Sequence, residues 1–276
     1  MRRKLARFFV YLAFSLLAVV WLLPVVSTLF VAVKTPQDFV SQKFYELPRT
    51  FGFFRNLADA ASQYRIQDHI LVSLLYSVAG AALAILFASA AGYSIVRLKP
   101  RFNFALFFII YAGTLFPFQM YLIPVYNLYN AIGLYDTRIG MILVYAAICI
   151  PFALFVFRGF YTTIPREIEE AAKLDGCGPL RMLFRIFVPN STAPTAVVAL
   201  FQATWIWNDL LFGMVLTRRD AIRPVMVSVA SMMGFGGTSI PMLMAVVFAV
   251  SVPTIALFAA LGRYFISGMV MSTTDL

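Results

Sequence analysis

The chain has 276 residues, of which 62% are hydrophobic and only 12% are charged, and its formal net charge is +10. About a quarter of the residues of a soluble domain carry charge, so this composition excludes an ordinary soluble domain and predicts an integral membrane protein. The net charge does not indicate nucleic-acid binding, because the basic residues are scattered along the ends of apolar runs without interleaved aromatics. Cytoplasmic positive charge beside anionic lipid explains it better.

Six apolar runs are long enough to cross a bilayer, which takes roughly 20 residues in an α-helix. They lie at about 8–33, 70–96, 103–127, 138–158, 190–217 and 242–265. The runs are continuous and rich in Leu, Ala, Phe and Val, so we predict an all-α integral membrane protein with six transmembrane helices in a single domain. Basic residues precede the first run as in a secretory signal, but no small-residue cleavage site follows, so we expect a retained helix.

The distribution of Lys and Arg predicts the orientation. Thirteen of the 22 fall at the amino terminus, in 97–101, in 158–185 and at Arg263. Cytoplasmic loops carry such an excess, so we expect both termini in the cytoplasm. The loops 34–69 and 218–241 then lie outside, the first with a short helix near 56–63 and the second with a flexible turn at 234–238.

The segment between the fourth and fifth runs, residues 159–189, is named the docking loop here. It carries helix signals on both sides of a turn. Pro165 suits a first helical turn, and charged residues placed to match the helix dipole follow it: Glu167, Glu169, Glu170 and Lys173. Gly176 can take the left-handed backbone conformation that ends a helix. A second short helix is expected over about 180–188, ended by Pro189 and Asn190.

This loop is more ordered than a passive connector requires. Its apolar residues, Leu174, Leu183 and Phe184, lie beside charged ones, which favours a surface that docks a partner. We expect Glu169 and Glu170 to pair with basic residues of a partner groove. The alternative is an ordinary connector whose charges are solvated.

Part of the docking loop resembles a known family. Glu170, Ala171, Ala172, Gly176, Ile186 and Pro189, with Asp175 before the glycine and nine residues between Gly176 and Ile186, resemble the Glu-Ala-Ala loop of permease subunits of ATP-binding-cassette importers. Cys177 and Val188 stand where alanine and leucine are usual. In that family the loop docks into a groove on a separate ATPase at the cytoplasmic face. The resemblance therefore implies an ATPase-coupling role for Glu167, Glu169, Glu170, Ala171, Ala172, Asp175, Gly176, Ile186 and Pro189.

Other segments look like the carbohydrate-uptake branch of these permeases, similar to the smaller permease of maltose importers. They are 117–124, 164–167 and 207–209, and the resemblance covers roughly 70–276. It implies a type I importer fold, a second related permease as partner, an ATPase dimer, a periplasmic or external solute-binding protein and a sugar-type solute carried across the bacterial inner membrane. The chain has no Gly-x-x-x-x-Gly-Lys-Ser/Thr loop, so ATP and Mg are expected on the partner ATPase.

Polar residues within two apolar runs are candidates for the solute path. Gln202, Trp205 and Asp209 recur at helical spacing with Asn208 beside them, and a similar set lies in the third run: Gln119, Tyr121, Tyr126 and Asn127. A carboxylate in lipid costs about 3 kcal/mol, so Asp209 should face the protein interior, an aqueous cavity or the outer interface. These groups suit sugar hydroxyls and the apolar face of a sugar ring. Alternatively, Asn208 and Asp209 tie their helix to its neighbours.

Two further hypotheses concern ions and catalysis. An ion-coupled secondary transporter would use Asp209 as its ion site and would show paired broken helices or an inverted repeat, and the sequence shows neither. His69, the single histidine, has no Cys or second His at metal spacing, so we expect a surface or interface residue and no metal site. The sequence also shows no convincing pair of a nucleophile and a base, so it does not suggest an enzyme. Cys149 lies in the fourth apolar run and Cys177 in the expected cytoplasmic loop. We therefore expect no disulfide between them and both thiols to be reduced.

Overall fold

The computed structural model describes residues 2–234 and 237–271, apart from the side chains at 2, 3, 6 and 263–271. Every regular element among these residues is helical. The chain forms two compact units, residues 1–67 with 228–252 and residues 68–227 with 253–276.

The first unit contains α1 (Arg2–Ala32), α2 (Pro36–Ser41) and α3 (Phe53–Tyr64), with parts of α13 (Val225–Gly234) and α14 (Ile240–Met271). The loop after α1 is organised around the buried side chain of Lys34, whose Nζ donates to the carbonyl oxygens of Lys43 and Phe44 at 2.8 and 3.2 Å. Asn56 on α3 donates to the carbonyl of Lys34 at 2.9 Å. The helix predicted near 56–63 is confirmed as α3, whereas α2 was not predicted. In the turn predicted at 234–238, residues 235 and 236 lie outside the described residues.

The second unit is built mainly from three long helices: α4 (Ile66–Tyr93, continued by a π-helical turn at Ser94–Leu98), α7 (Arg138–Thr163) and α11 (Thr192–Trp207). Shorter helices complete it: α5 (Asn103–Ala112), α6 (Leu122–Ile132), α8 (Arg166–Leu174), α9 (Pro179–Met182), α10 (Val188–Asn190) and α12 (Leu211–Leu216). Gly80 of α4 allows a close approach, because a Cβ there would lie 2.9 Å from Ile206 Cδ1 and 3.2 Å from Tyr145 Cβ.

Among the described residues, four helices are long and apolar enough to cross a membrane: 7–32, 66–98, 138–163 and 240–262. Two bent pairs supply up to two more spans, 103–115 with 118–132 at 99° and 179–190 with 192–207 at 76°. The run predicted as a span at 103–127 is thus bent rather than straight, and the bend has a local cause. Phe116 precedes Pro117 and takes the extended conformation that a following proline favours. The span predicted at 190–217 is also interrupted, because α11 ends at Trp207 and α12 begins at Leu211.

Two buried clusters hold the second unit together. The Tyr145 cluster includes Tyr76, Met141, Tyr145, Ile206 and Phe212. The Tyr161 cluster includes Tyr93, Phe157, Tyr161, Met182 and Phe187. Because Met182 and Phe187 belong to the docking loop, that loop is part of the core of the unit and not an appendage to it.

Candidate docking loop and solute cavities

The docking loop folds as two short helices, the second of which makes an angle of 76° with α11. The first is α8, with Pro165 as the residue before its first turn rather than within it, and with Glu167 and Glu169 in that turn. The second runs without a break from Pro179 to Asn190 as α9, a π-helical turn and α10. The helix ends at Asn190, directly after Pro189, as the sequence predicts, because a proline lacks the N–H that would continue the backbone hydrogen bonds.

The turn between the two helices is the tight one that the sequence indicates. Gly176 has φ of +74°, which confirms the predicted left-handed residue. The N–H of Gly176 donates to the carbonyl of Lys173 at 3.0 Å, and the N–H of Cys177 donates to that of Ala172 at 2.9 Å. This pair of bonds satisfies the carbonyl groups at the end of α8 and fixes the direction in which the chain leaves it.

A single buried guanidinium joins α8 to the rest of the unit. Arg97, at the end of α4, lies with its Nη1 3.6 Å from Glu169 Oε2, and both side chains are almost fully buried. Its Nη2 donates to the carbonyl oxygens of Tyr161, at 2.7 Å, and Ile164. The Arg97 Cζ atom is also 5.3 Å from the ring centroid of Phe187. Arg97 thus contacts α7, α8 and the second helix of the docking loop at once.

Glu169 therefore pairs inside the chain, which differs from the expectation that it pairs with a partner. Its other oxygen accepts from Lys173, with Nζ at 2.8 Å, one helical turn along α8. Arg97 was counted in the sequence only as part of the positive charge at one side of the membrane. No sequence pattern distinguishes it from its neighbours Lys99 and Arg101.

The remaining surface of the docking loop is apolar and exposed. The exposed fractions are 46% for Ile168, 90% for Leu174, 74% for Leu180 and 52% for Phe184. Leu183, grouped with these in the sequence, is buried instead. Of the residues that the resemblance assigns to coupling, those at the surface are Glu167, Glu170, Ala171, Asp175, Gly176 and Pro189, whereas Ala172 and Ile186 pack against the Tyr161 cluster.

Two neighbouring cavities form around the break between α5 and α6 and the end of α11. The Gln202 cavity, of about 620 Å³, is lined by residues including Thr114, Tyr121, Pro151, Gln202 and Trp205. The Asp209 cavity, also about 620 Å³, is lined by residues including Thr204, Trp205, Asn208, Asp209 and Thr254. Phe118, Phe201 and Trp205 line both cavities and therefore stand between them.

The structure brings five of the eight candidate path residues to these cavities. Tyr121, Gln202 and Trp205 line the first, and Trp205, Asn208 and Asp209 line the second. Gln119, Tyr126 and Asn127 line neither of them, because the bend after Pro117 turns α6 away from the line of α5. Sequence reasoning missed Phe118, Phe201 and Thr254, whose residue types are ordinary in any apolar helix.

Asp209 has a clear structural role. Its Oδ1 accepts from the N–H of Phe212 at 3.4 Å, and its Oδ2 accepts from the N–H of Gly213 at 3.1 Å. The hydroxyl of Tyr145 donates to Oδ2 at 2.9 Å. The carboxylate therefore caps the amino end of α12 and ties it to α7, which is the alternative that the sequence left open.

His69 is buried, so its prediction as a surface residue is wrong. Its exposed fraction is 2%, and its Nε2 lies 3.3 Å from Asp220 Oδ1. Tyr76 and Ser73, further along α4, hydrogen-bond to the carbonyl of Ile222 and to the N–H of Val225. One face of α4 thus holds the segment that follows α12.

Asp136 fixes the same segment from the α6–α7 turn. Its Oδ1 accepts from the backbone N–H groups of Arg218 and Arg219 at 2.7 and 3.0 Å, and its Oδ2 accepts from Arg219 Nε at 2.8 Å. Partial burial acts to raise the pKa of Asp136, but these hydrogen bonds and the Arg219 charge outweigh it and hold the pKa below its ordinary value.

Comparison with known proteins gives consistent matches. Residues 80–269 match the model of a family described as binding-protein-dependent transport system inner membrane component. The chain is 37% identical over 179 residues to a probable ABC transporter permease protein of Pyrococcus horikoshii. That match covers 64% of this chain and 65% of the relative, so the chain spans slightly less than two thirds of the relative's length. It is 26% identical over 269 residues to the melibiose/raffinose/stachyose import permease protein of Bacillus subtilis, covering 97% and 96% of the two chains.

A solved structure has the same fold. It belongs to a bacterial ABC transporter involved in the import of the acidic polysaccharide alginate, and the match has a TM-score of 0.82 at 20% sequence identity, over 95% of this chain and 97% of that one. At this identity the likeness establishes the fold alone.

Proposed function

Because the chain belongs to the family of binding-protein-dependent transport system inner membrane components, we propose that it is the permease through which an ATP-binding-cassette importer moves a sugar or sugar derivative. Family membership makes it a multi-pass membrane protein and a transport permease subunit, and the role proposed for it is not enzymatic. The broken helices that an ion-coupled transporter would show do occur here. Bent helices alone do not identify that class, however, and the family supports ATP-driven import.

The docking loop is the proposed contact with the ATPase. The observation that carries this proposal is α8 itself, which exposes Leu174 and Ile168 while its Glu169 is fixed to the buried Arg97. An apolar surface of this kind favours a protein partner. A helix anchored by a charge pair and by the Tyr161 cluster can pass a displacement to α4 and α7, because packed elements move together rather than deforming.

The other partners follow from the family and the resemblance. A second related permease would complete the translocation path, and a solute-binding protein would deliver the solute from outside. ATP and Mg would bind to the ATPase dimer and not to this chain. Both termini would lie in the cytoplasm, on the same side as the docking loop.

The two cavities are the proposed solute path. Gln202 and Asn208 supply amide groups, and Trp205 supplies an aromatic face between the cavities. Its ring meets Phe118 and Tyr145 edge to face, with centroids 5.9 and 6.3 Å away, so the indole is held in one orientation. The similarity to the melibiose/raffinose/stachyose import permease of Bacillus subtilis supports an oligosaccharide as solute.

The ATPase contact is tested by Leu174→Asp in the complete importer. We expect this variant to insert normally and to lose co-purification of the ATPase, because a charge replaces the most exposed apolar side chain of α8. Val40→Asp is the matched control, since Val40 is 85% exposed and lies in the loop expected on the other side. Undiminished co-purification with Leu174→Asp would contradict the proposed docking surface.

The solute path is tested by Trp205→Leu, measured as ATP-dependent uptake of labelled oligosaccharides into proteoliposomes. We expect a loss of uptake of about fivefold with the ATPase still bound, because stacking on an aromatic face contributes roughly 1 kcal/mol. Trp21→Leu serves as control, because Trp21 is 75% exposed on α1. Normal uptake by Trp205→Leu would remove Trp205 from the path.

A further inference from the structure

A third cavity lies between the ends of α4 and α7 and the start of α5, beside the docking loop. Its volume is about 360 Å³, and its polar lining is basic: Arg97, Lys99, Arg158 and Arg166, with Asn103 and Thr162. Among the described residues, none of the side chains that line it is acidic. Arg97 is already paired with Glu169, so an anion in this space would chiefly offset the mutual repulsion of Lys99, Arg158 and Arg166.

Two of these cationic groups are held in place. Arg97 is nearly buried, and its Nε has no hydrogen-bond partner in the part of the chain that the structure describes. The Arg158 guanidinium lies over the ring of Phe107, with Cζ 4.3 Å from the centroid. Groups fixed in this way lose little freedom when an anion binds, which favours a built site over a solvated surface.

The surface next to the cavity is apolar. Phe104 lines the cavity and is 72% exposed. One turn further along α5, Phe108 is 55% exposed, and the two rings stack with centroids 6.4 Å apart. Because α5 begins a bent pair of helices that is long and apolar enough to span a membrane, this aromatic ridge starts at the basic cavity and continues along the expected lipid-facing surface.

We propose that this cavity binds the phosphate of an anionic phospholipid headgroup, with an acyl chain lying along Phe104 and Phe108. A free phosphate carries the same kind of charge but has no apolar part to contact the exposed aromatic ridge. The ridge therefore favours the lipid. The distribution of Lys and Arg places the cavity at the cytoplasmic leaflet, where anionic lipids produce the negative surface potential. The site goes beyond the proposed transport function and does not depend on which solute is carried.

Arg97 links the lipid site to the docking loop, because the same guanidinium lines the cavity and pairs with Glu169. A bound phosphate would add a second anion beside Arg97. Because the phosphate and Glu169 would share this guanidinium, we expect bound lipid to change how tightly α8 is held.

The test is native mass spectrometry of the complete importer, titrated with phosphatidylglycerol, with phosphatidylcholine and with inorganic phosphate. The test variant is Lys99→Asn with Arg158→Gln, where asparagine suits the left-handed conformation of Lys99 (φ 45°). The matched control is Arg7→Gln with Arg101→Gln, which removes two exposed charges outside the cavity. We expect the test variant alone to lose about tenfold in phosphatidylglycerol retention, with phosphatidylcholine unchanged, since each basic residue adds to the attraction of anionic lipid.

Three further arms keep the proposal falsifiable. Phe104→Ser should weaken phosphatidylglycerol retention several-fold. Inorganic phosphate should fail to displace the lipid at millimolar concentration. If the double variant does not assemble, Arg158→Gln is scored against Arg101→Gln in the same way. Equal retention by test and control variants, or displacement of the lipid by inorganic phosphate, would overturn the lipid site.

Discussion

The docking loop and the two solute cavities are built in opposite ways from the same helices. The docking loop is anchored by the Arg97–Glu169 pair and by Met182 and Phe187 in the Tyr161 cluster. The solute cavities instead form where regular structure stops, at the bend after Pro117 and at the end of α11. The docking loop combines a rigid interior with an exposed apolar surface. The solute cavities combine an apolar lining with a few polar groups around an open volume.

This difference teaches which residues transmit force and which ones meet the solute. A loop that passes on a displacement must be stiff, so its charged residues are used internally. A path for a polar solute needs groups that are available, so a carboxylate already accepting three hydrogen bonds, as at Asp209, is a poor candidate to bind the solute. Gln202, Asn208 and Trp205 remain the better candidates.

The largest effect is expected at Arg97. Arg97→Gln removes one partner of a buried pair and should lower the free energy of unfolding by about 3 kcal/mol, although Lys173 still pairs with Glu169. In lipid nanodiscs, Arg97→Gln should also raise the number of ATP molecules hydrolysed per solute molecule transported, because α8 is no longer fixed to α4.

The double variant Arg97→Gln with Glu169→Gln is the control for this pair. It should recover part of the lost stability, because it leaves no buried charge without its partner. Additive losses in the double variant would mean that the two side chains do not act on each other.

Gly176→Val should have the next largest effect. A β-branched residue in the left-handed conformation costs roughly 2 kcal/mol, so the turn between the two docking helices should rearrange. We expect normal insertion with uptake uncoupled from ATP hydrolysis. Gly178→Ala is the matched control, because its φ is −74° and a Cβ there meets nothing within 4 Å. Normal uptake by Gly176→Val would count against a stiff loop.

How much the sequence could predict also differs between the two regions. The helix signals and Gly176 of the docking loop are local, so its two helices and their turn were predictable within a residue or two. The partner of Glu169 was not, because Arg97 lies far away in the chain and no pattern connects the two. The bends near Pro117 and Asn208 were also missed, because hydropathy measures how apolar a run is and not whether its helix is continuous.

A smaller effect is expected at Asp209. Asp209→Ala should lower the free energy of unfolding by about 1 kcal/mol through loss of the helix cap, and Asp209→Asn should lose less, because its amide oxygen still accepts. Neither variant should change the solute concentration at half-maximal uptake. A rise in that concentration for Asp209→Asn, at unchanged stability, would instead assign Asp209 to solute binding.

The smallest effect is expected at Asp136. The pKa of Asp136 in the folded chain lies below the ordinary value of 3.8. The contribution of Asp136 to the free energy of unfolding is therefore fully present above the pKa of the unfolded chain and is lost as the pH falls through the pKa of the folded chain. Arg219 is 65% exposed, so solvent screening keeps the contribution below about 1 kcal/mol. Asp136→Asn should therefore flatten the dependence of the thermal midpoint on pH below about pH 4. An unchanged pH dependence would show that the contacts of Asp136 with Arg218 and Arg219 do not stabilise the fold.

The most direct test of the central claim is site-directed crosslinking of α8 during turnover. A cysteine is introduced by Leu174→Cys, with Cys177→Ala to remove the neighbouring thiol, and Val40→Cys is the control. We expect Leu174→Cys to crosslink to the ATPase subunit in membrane vesicles and Val40→Cys not to do so. Crosslinking of the ATPase from Val40 instead, or from neither position while transport continues, would contradict the account.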